Sequence, residues 1–384
     1  MSFVHDVPGE GVTETADRVA RREVSAVAVV RATLDRVTRI GELNAFTEVW
    51  DRSATARAER VEAALARGEE LPLAGVPFAV KATEGTASTQ ARRLIAAGAV
   101  PVGATAVPGP GTAWKTWGRT ERGPTLNPWR HDLVPGGSSA GSAVAVATGA
   151  VPLATGSDGA GSTRIPAAWC GIVGYKPTTG LLPTRDRAGL TVGGPLTRRV
   201  RDAVLYRSVV LGDSPEKRPH RLRVAWSSSL GFNRPDPEVL AVAKRSLHLW
   251  ATTGGTEVTE IDPALTDPAA SWTARRGRRD DHTHGTTDRR NRAVLDDLFS
   301  SFDLLATPTT PNRPHPHEGP GEEMSVGYTW LFNLTGHPAI GLPAGFTSDG
   351  LPVGLHLVAA HHRDGLLLAA AADHEQTTEP DREP

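Results

Sequence analysis

Apolar residues recur along this chain at two periods, and the periods alternate. Val27, Val30, Leu34 and Val37 stand three or four residues apart within 14–40, with charges on the opposite face, which predicts an amphipathic helix. Residues 51–67, rich in Ala, Arg and Glu and followed by Gly68, predict a second. Val76–Lys81 is a short, continuous apolar run of the kind a buried strand needs. Val151–Thr155, Leu222–Trp226, Val258–Ile261, Phe302–Thr307 and Val353–Val358 read as further strands. Helical character returns at the small-residue run Ser142–Thr148, at 196–211, and after Asp236-Pro237-Glu238. That tripeptide offers an N-cap, a first-turn proline and an acid at the positive end of the helix dipole. Strands alternating with helices predict an α/β layered sandwich with a largely buried sheet. One stretch breaks the pattern. Residues 271–292, SWTARRGRRDDHTHGTTDRRNR, are charged, nearly devoid of aliphatic side chains, and read as a solvated loop or frayed helix. The chain after Glu375 reads as a disordered tail.

Composition narrows the class. At 384 residues, 39% hydrophobic, the chain suits two average domains or one large α/β domain. A net charge of −1 gives no global electrostatic case for nucleic acid or an anionic membrane. No apolar run reaches the ~18 residues of a membrane span, and the N-terminal residues lack a secretory pattern. With Cys170 the single cysteine, no intrachain disulfide forms, and a cytoplasmic protein is expected. Of 42 basic side chains only five are lysine. Where arginine is the default cation, a lysine ending an apolar strand (Lys81, in LAGVPFAVKATEG) stands out, because buried lysine loses its proton and becomes a base.

The candidate chemistry lies in GSDGAGSTRIPAAWCGIVGYKPTTG, residues 156–180, where glycines crowd one serine. Such a cluster fits a phosphate cradle, an oxyanion hole or a tight loop without chemistry. GPGTAWKT, residues 109–116, approaches a phosphate loop, but Trp114 obstructs the amides that would wrap the phosphate. Asp280, Asp281, His282 and His284 could join His315, His317 and Glu318 around a metal, yet neither group lies on a rigid element, and surface histidines are the plainer reading. A second Gly/Ser stretch, PGGSSAGSAVAVATGA (135–150), sets Ser138 24 residues before Ser162, across a small-residue helix and a short strand. No histidine lies in either stretch, so a Ser–Lys arrangement with Lys81 as base is the nucleophilic option.

Residues 136–180, GGSSAGSAVAVATGAVPLATGSDGAGSTRIPAAWCGIVGYKPTTG, resemble the signature region of the amidase signature family of serine hydrolases. LPLAGVPFAVK, GPTLNPWRHDLVPGGSS, GGPLTRRVRDAV, FDLLATPTTP and NLTGHPAIGLPAGFTSDGLPVGLHLVA resemble the family's other segments, in its order. The resemblance implies one domain over 1–375, a single large α/β/α sandwich with a mixed, mostly buried central sheet covered by helices. It implies an amidohydrolase acting on a small-molecule amide, with no metal or organic cofactor. Ser162 matches the acylated nucleophile, Ser138 the bridging serine after a cis peptide bond, and Lys81 the base. Gly159, Ala160, Gly161 and Ser162 match the loop whose amides form the oxyanion hole. Ser139, Asp158 and Arg164 are supporting residues, the last two as a pair holding the loop, while Lys176 and Cys170 read as structural. The chain departs from the family in ATEGTASTQARRLIAAGAV after Lys81, in a contraction at 262–300, and in Ala160 where glycine is usual. Acyl transfer, an amidotransferase-type subunit, a non-catalytic relative on the same fold and a homodimer stay open at this point.

Overall fold

The computed structural model describes residues 10–184, 186–213, 216–253, 255–277 and 282–377, with backbone only at 282–284. The N-terminal part holds α1 (Val12–Ala20), α2 (Ala26–Arg39), β1 (Phe46–Val49), α3 (Asp51–Ala66), β2 (Pro77–Lys81), α4 (Thr89–Ala96) and β3 (Val100–Thr105). A short hairpin, β4 (Arg119–Thr120) and β5 (Gly123–Pro124), leads to α5 (Ala140–Ala147), β6 (Leu153–Asp158), α6 (Arg164–Cys170), β7 (Val173–Lys176), β8 (Val192–Thr197) and α7 (Val200–Leu211). Then follow β9 (Leu222–Trp226), α8 (Pro237–Thr252), β10 (Thr256–Glu260), α9 (Ala269–Arg276), α10 (His282–Ser301) and β11 (Leu304–Pro308). The last elements are α11 (Leu331–Leu334), β12 (Ala339–Phe346), β13 (Pro352–Ala359) and α12 (Asp364–Thr377).

All strands but the hairpin join one sheet, ordered β1-β3-β2-β6-β8-β7-β12-β13-β11-β9-β10. Neighbours run parallel through β3-β2-β6 and β11-β9-β10 and antiparallel elsewhere, so the sheet is mixed. Alternation along the strands explains the sandwich. Phe78 and Val80 of β2 pack with α4 and α7, whereas Ala79 packs on the opposite face with α2, α3 and α5. In the C-terminal half Leu304 and Ala306 of β11 join α8 and α12, and Leu305 joins α10 and α11. Helices therefore cover both faces, as expected. No helix among the described residues is long and apolar enough to cross a membrane.

Several expectations need correction. The helical region 14–40 is two helices, because Ser25 caps α2 by accepting from the Ala28 amide at 3.0 Å. The region 196–211 begins as the end of β8, and its helix starts only at Val200. The charged stretch is helical: α9 and α10 occupy most of it, held by buried Ser271, Ala274, Asn291, Leu295 and Leu298. At the C-terminus α12 runs to Thr377, past the expected start of the tail, and 378–384 lie outside the described residues.

Candidate active site

Lys81 closes β2 and falls on the same face as Ala79, toward α5. Ser138 and Ser139 of the 135–150 stretch immediately precede that helix, so sheet alternation aims the lysine at them. Its Nζ donates to Ser138 Oγ at 2.9 Å, to Ser139 Oγ at 2.9 Å and to the Ser157 carbonyl at 3.2 Å. Lys81 is only 2% exposed. Burial pushes its ammonium down to about 8, although Glu84 and Asp158 pull the other way. The peptide Gly137–Ser138 is cis. A side chain at Gly137 would meet the Lys115 carbonyl oxygen at 2.3 Å, so only glycine fits this crossing of backbones.

The 156–180 stretch turns around Asp158, the last residue of β6. Its carboxylate accepts from the amides of Gly161 (2.7 Å), Thr163 (3.1 Å) and Arg164 (3.4 Å), and from the Arg164 guanidinium at 2.8 and 3.0 Å. Burial alone would raise this carboxyl, but the Arg164 guanidinium, Lys176 and the Asn333 amide hold it far below the usual carboxylate range. Asn333 donates to the Asp158 carbonyl at 2.9 Å and carboxylate at 3.0 Å, and accepts from Arg164 at 2.8 Å. Arg164 also donates to His356 Nε2 at 3.0 Å, which assigns the proton of that imidazole to Nδ1. The expected pairing of Asp158 with Arg164 is therefore present, inside a larger network.

The loop 159–162 is held by its carbonyls. Trp272 Nε1 donates to the Gly159 oxygen at 2.8 Å, and Thr329 Oγ1 to the Ala160 oxygen at 2.5 Å. Among the described residues no internal hydrogen bond takes the amides of Gly159, Ala160 or Ser162. The Gly161 amide is different: Asp158 occupies it, so it is removed from the four amides expected to face an oxyanion. Gly161 has φ +127° and a Cβ there would lie 2.3 Å from Thr329 Oγ1, whereas Ala160 keeps a negative φ and its methyl imposes no backbone strain. The two stretches are joined where the Ser139 amide donates to the Ser162 carbonyl at 3.2 Å. No hydrogen bond links Ser138 Oγ to Ser162 Oγ among the described residues.

A family model described as Amidase matches residues 82–283 and 279–368. The chain belongs to the amidase family. An acylamidase of Rhodococcus erythropolis is 32% identical over 454 residues, covering 94% of this chain and 94% of that one. One subunit of the glutamyl-tRNA(Gln) amidotransferase of Moorella thermoacetica is 30% identical over 473 residues, covering 95% and 96%. The crystal structure of a bacterial aryl acylamidase of the amidase signature family superposes with a TM-score of 0.84 at 24% identity, over 97% of both chains. The protein is an amidase, a hydrolase of amide C–N bonds, on the family's fold. Alignments longer than the 384-residue chain mean that those relatives carry residues this amidase lacks.

The remaining candidates lie outside the Lys81–serine cluster. Lys176 donates to the carbonyls of Pro177 and His337 and to Thr179 Oγ1, a structural anchor as expected. Cys170 is buried, its thiol pushed up by burial. Lys115 is turned onto the Thr112 carbonyl, and no helix follows it as a phosphate loop requires. Of the metal candidates, Asp280 and Asp281 and the side chains of His282 and His284 lie outside the described residues. His315 is buried instead of on the surface, with its two ring nitrogens on Thr116 Oγ1 and the Pro316 carbonyl. A different trio, Asp296, His337 and His361, brings possible ligand atoms within 4.8 Å. There the imidazoles stack at 3.9 Å, and the positive charges of Lys176 and Arg292 beside His337 oppose a cation. Asn333, His356, Thr329 and Trp272 were not foreseen as site residues. For Asn333 and His356 the only sequence signal was their place inside the NLTGHP and GLHLVA segments.

Proposed function

We propose that this amidase cleaves a small carboxamide to a carboxylate and ammonia through a seryl ester at Ser162. The observation that carries the reading is a buried Lys81 amine within 2.9 Å of Ser138 Oγ, at the mouth of the Gly/Ser loops. The neutral amine has two hydrogens and one lone pair. Ser157 offers only a carbonyl, so the lone pair must accept from a serine hydroxyl. Ser139 is fully buried as it enters α5, while Ser138, like Ser162, is partly exposed and can face substrate. In the proposed sequence Lys81 takes the Ser138 proton, Ser138 takes that of Ser162, and Ser162 Oγ attacks the amide carbon. The free amides of Gly159, Ala160 and Ser162 hold the oxyanion. Protons return by the same path to the leaving nitrogen, and water then releases the acid. The relay lies within one chain, which supports a reaction that needs no partner protein or cofactor. The single buried cysteine fits a reducing compartment such as the cytoplasm. The two family-model matches, which overlap at 279–283, support a contraction within 262–300.

Intact-mass measurement with a fluorophosphonate tests the reading. One adduct per chain on Ser162 is expected, forming about a hundredfold or more slower in Ser138→Ala and less impaired in Ser139→Ala. A well-folded wild type that takes no adduct, or a Ser138→Ala that reacts at the wild-type rate, would sink it. The kinship with part of an amidotransferase favours one variant of this scheme, in which ammonia passes to an acceptor. Stoichiometric release of free ammonia without any added acceptor rejects that variant.

The lysine also sets the pH dependence. Its folded pKa is lowered to about 8, and the active form is the neutral one. The rate of acylation should therefore rise through about pH 8 and level off above it, with roughly a tenth of the chains active at pH 7. A single-turnover profile flat from pH 6 to 9 would exclude Lys81 as the base.

A further inference from the structure

We infer that Trp272, on α9, is a positioning residue for the reaction: its indole N–H fixes the Gly159–Ala160 peptide so that the Ala160 amide faces the oxyanion. The inference rests on the acyl-enzyme reading above and adds to it a residue from the charged stretch. In a trans peptide the carbonyl and the N–H point in opposite directions. Gly137–Ser138 is the cis peptide of the described chain, so the 159–160 unit is trans. With its carbonyl oxygen 2.8 Å from Trp272 Nε1, its amide must point away from α9. The next peptide is oriented by the same logic: Thr329 holds the Ala160 carbonyl, and the Gly161 amide opposite goes to Asp158. Of two consecutive amides, one is thus spent on the scaffold and the other left open by a clamp on its far side. A hydrogen bond to the carbonyl also polarises the peptide and strengthens its N–H as a donor.

The clamp is itself braced. Arg275 Nε donates to the Ala188 carbonyl at 2.8 Å, and Arg276 pairs with Asp186 at 3.4 Å. Asp186 accepts from the amides of Ala188, Leu190 and Thr191 and from the Thr191 hydroxyl. Thr191 in turn packs on Gly159 so closely that a Cβ there would lie 2.8 Å from its Oγ1. Gly159 is therefore held between Thr191 and Trp272. The Trp272 ring lies 6.4 Å from that of Trp330, the neighbour of Thr329, so the two carbonyl clamps belong to one packed body.

Trp272→Phe keeps a ring in place and removes the donor. Loss of a whole oxyanion donor lowers kcat by about 10²- to 10³-fold in other hydrolases, and a misaimed donor should cost about 10- to 100-fold, with KM changed by less than about threefold. The same factor should appear in the affinity for a peptidic aldehyde or boronic acid that forms a tetrahedral adduct on Ser162, because that ligand carries the oxyanion. A merely structural role would lower the melting temperature and leave this affinity unchanged. Fluorophosphonate labelling run to completion separates the two readings. No Ser162 adduct in the wild type rejects the acyl-enzyme scheme. Full labelling of both proteins, with kcat and adduct affinity within about twofold of each other, overturns the role of Trp272 alone. Should the phenylalanine variant fold poorly, benzothienylalanine at 272, which exchanges the indole N–H for sulfur at nearly the same shape, gives the same decision.

Discussion

Ser162→Ala should lower kcat by about 10⁴-fold or more while leaving thermal stability near that of the wild type. Ser162 is partly exposed at the turn into α6, and among the described residues its Oγ carries no hydrogen bond on which the fold depends. Its backbone carbonyl, which receives the Ser139 amide, survives the change. Substrate binding should survive as well, because the scheme spends the hydroxyl only in bond formation, so KM should move little. Turnover by the alanine variant within a hundredfold of wild type would mean that another group attacks the amide. Ser138 would then be the first suspect, since it already contacts Lys81.

Asp158→Asn should be the most damaging single change to stability, by about 3–5 kcal/mol in denaturant titration. Asp158 and Arg164 are both fully buried, so the substitution leaves a guanidinium in the interior with no counter-charge. The amide keeps the carboxylate's shape but replaces one oxygen by NH2, so either the Gly161 amide (on Oδ1) or the Thr163 amide (on Oδ2) now faces another donor. The loop that carries Ser162 should loosen together with the fold, so activity should fall even under conditions where the variant remains folded. Removing both charges, in Asp158→Asn with Arg164→Met, should cost less than the sum of the single changes. An Asp158→Asn variant within about 1 kcal/mol of wild type would contradict the paired-charge account.

The legible part of the site was the part whose residue types are unusual where they stand. A lysine ending an apolar strand and serines amid glycines declare themselves, because burial and backbone crowding tolerate few other residues there. Asn333, His356, Thr329 and Trp272 do not. Each is an ordinary residue in its own segment and gains its place only when chain more than a hundred residues away folds against it. The elements failed for a similar reason. β8 is crossed by Gly193, Gly194 and Pro195, which weaken any strand signal, and its register comes from β6 on one side and β7 on the other. α10 draws its apolar anchors, Leu295 and Leu298, from beyond the charged stretch, so a composition window over 271–292 misses them. Ala160 was a doubt that backbone geometry resolves. Its negative φ needs no glycine, and the strained position is Gly161.

The sealing of Asp158 and Arg164 bears on how the enzyme responds to dissolved salt. An exposed pair such as Arg201–Glu14, with both side chains about half in solvent, is weakened as counterions gather around it. Ions cannot enter the space around Asp158, so the attraction that shapes the Ser162 loop is the same in dilute buffer and in brine. Ionic strength can alter the outer surface of this amidase and the arrival of charged substrates. The curvature of the Ser162 loop is insulated from both.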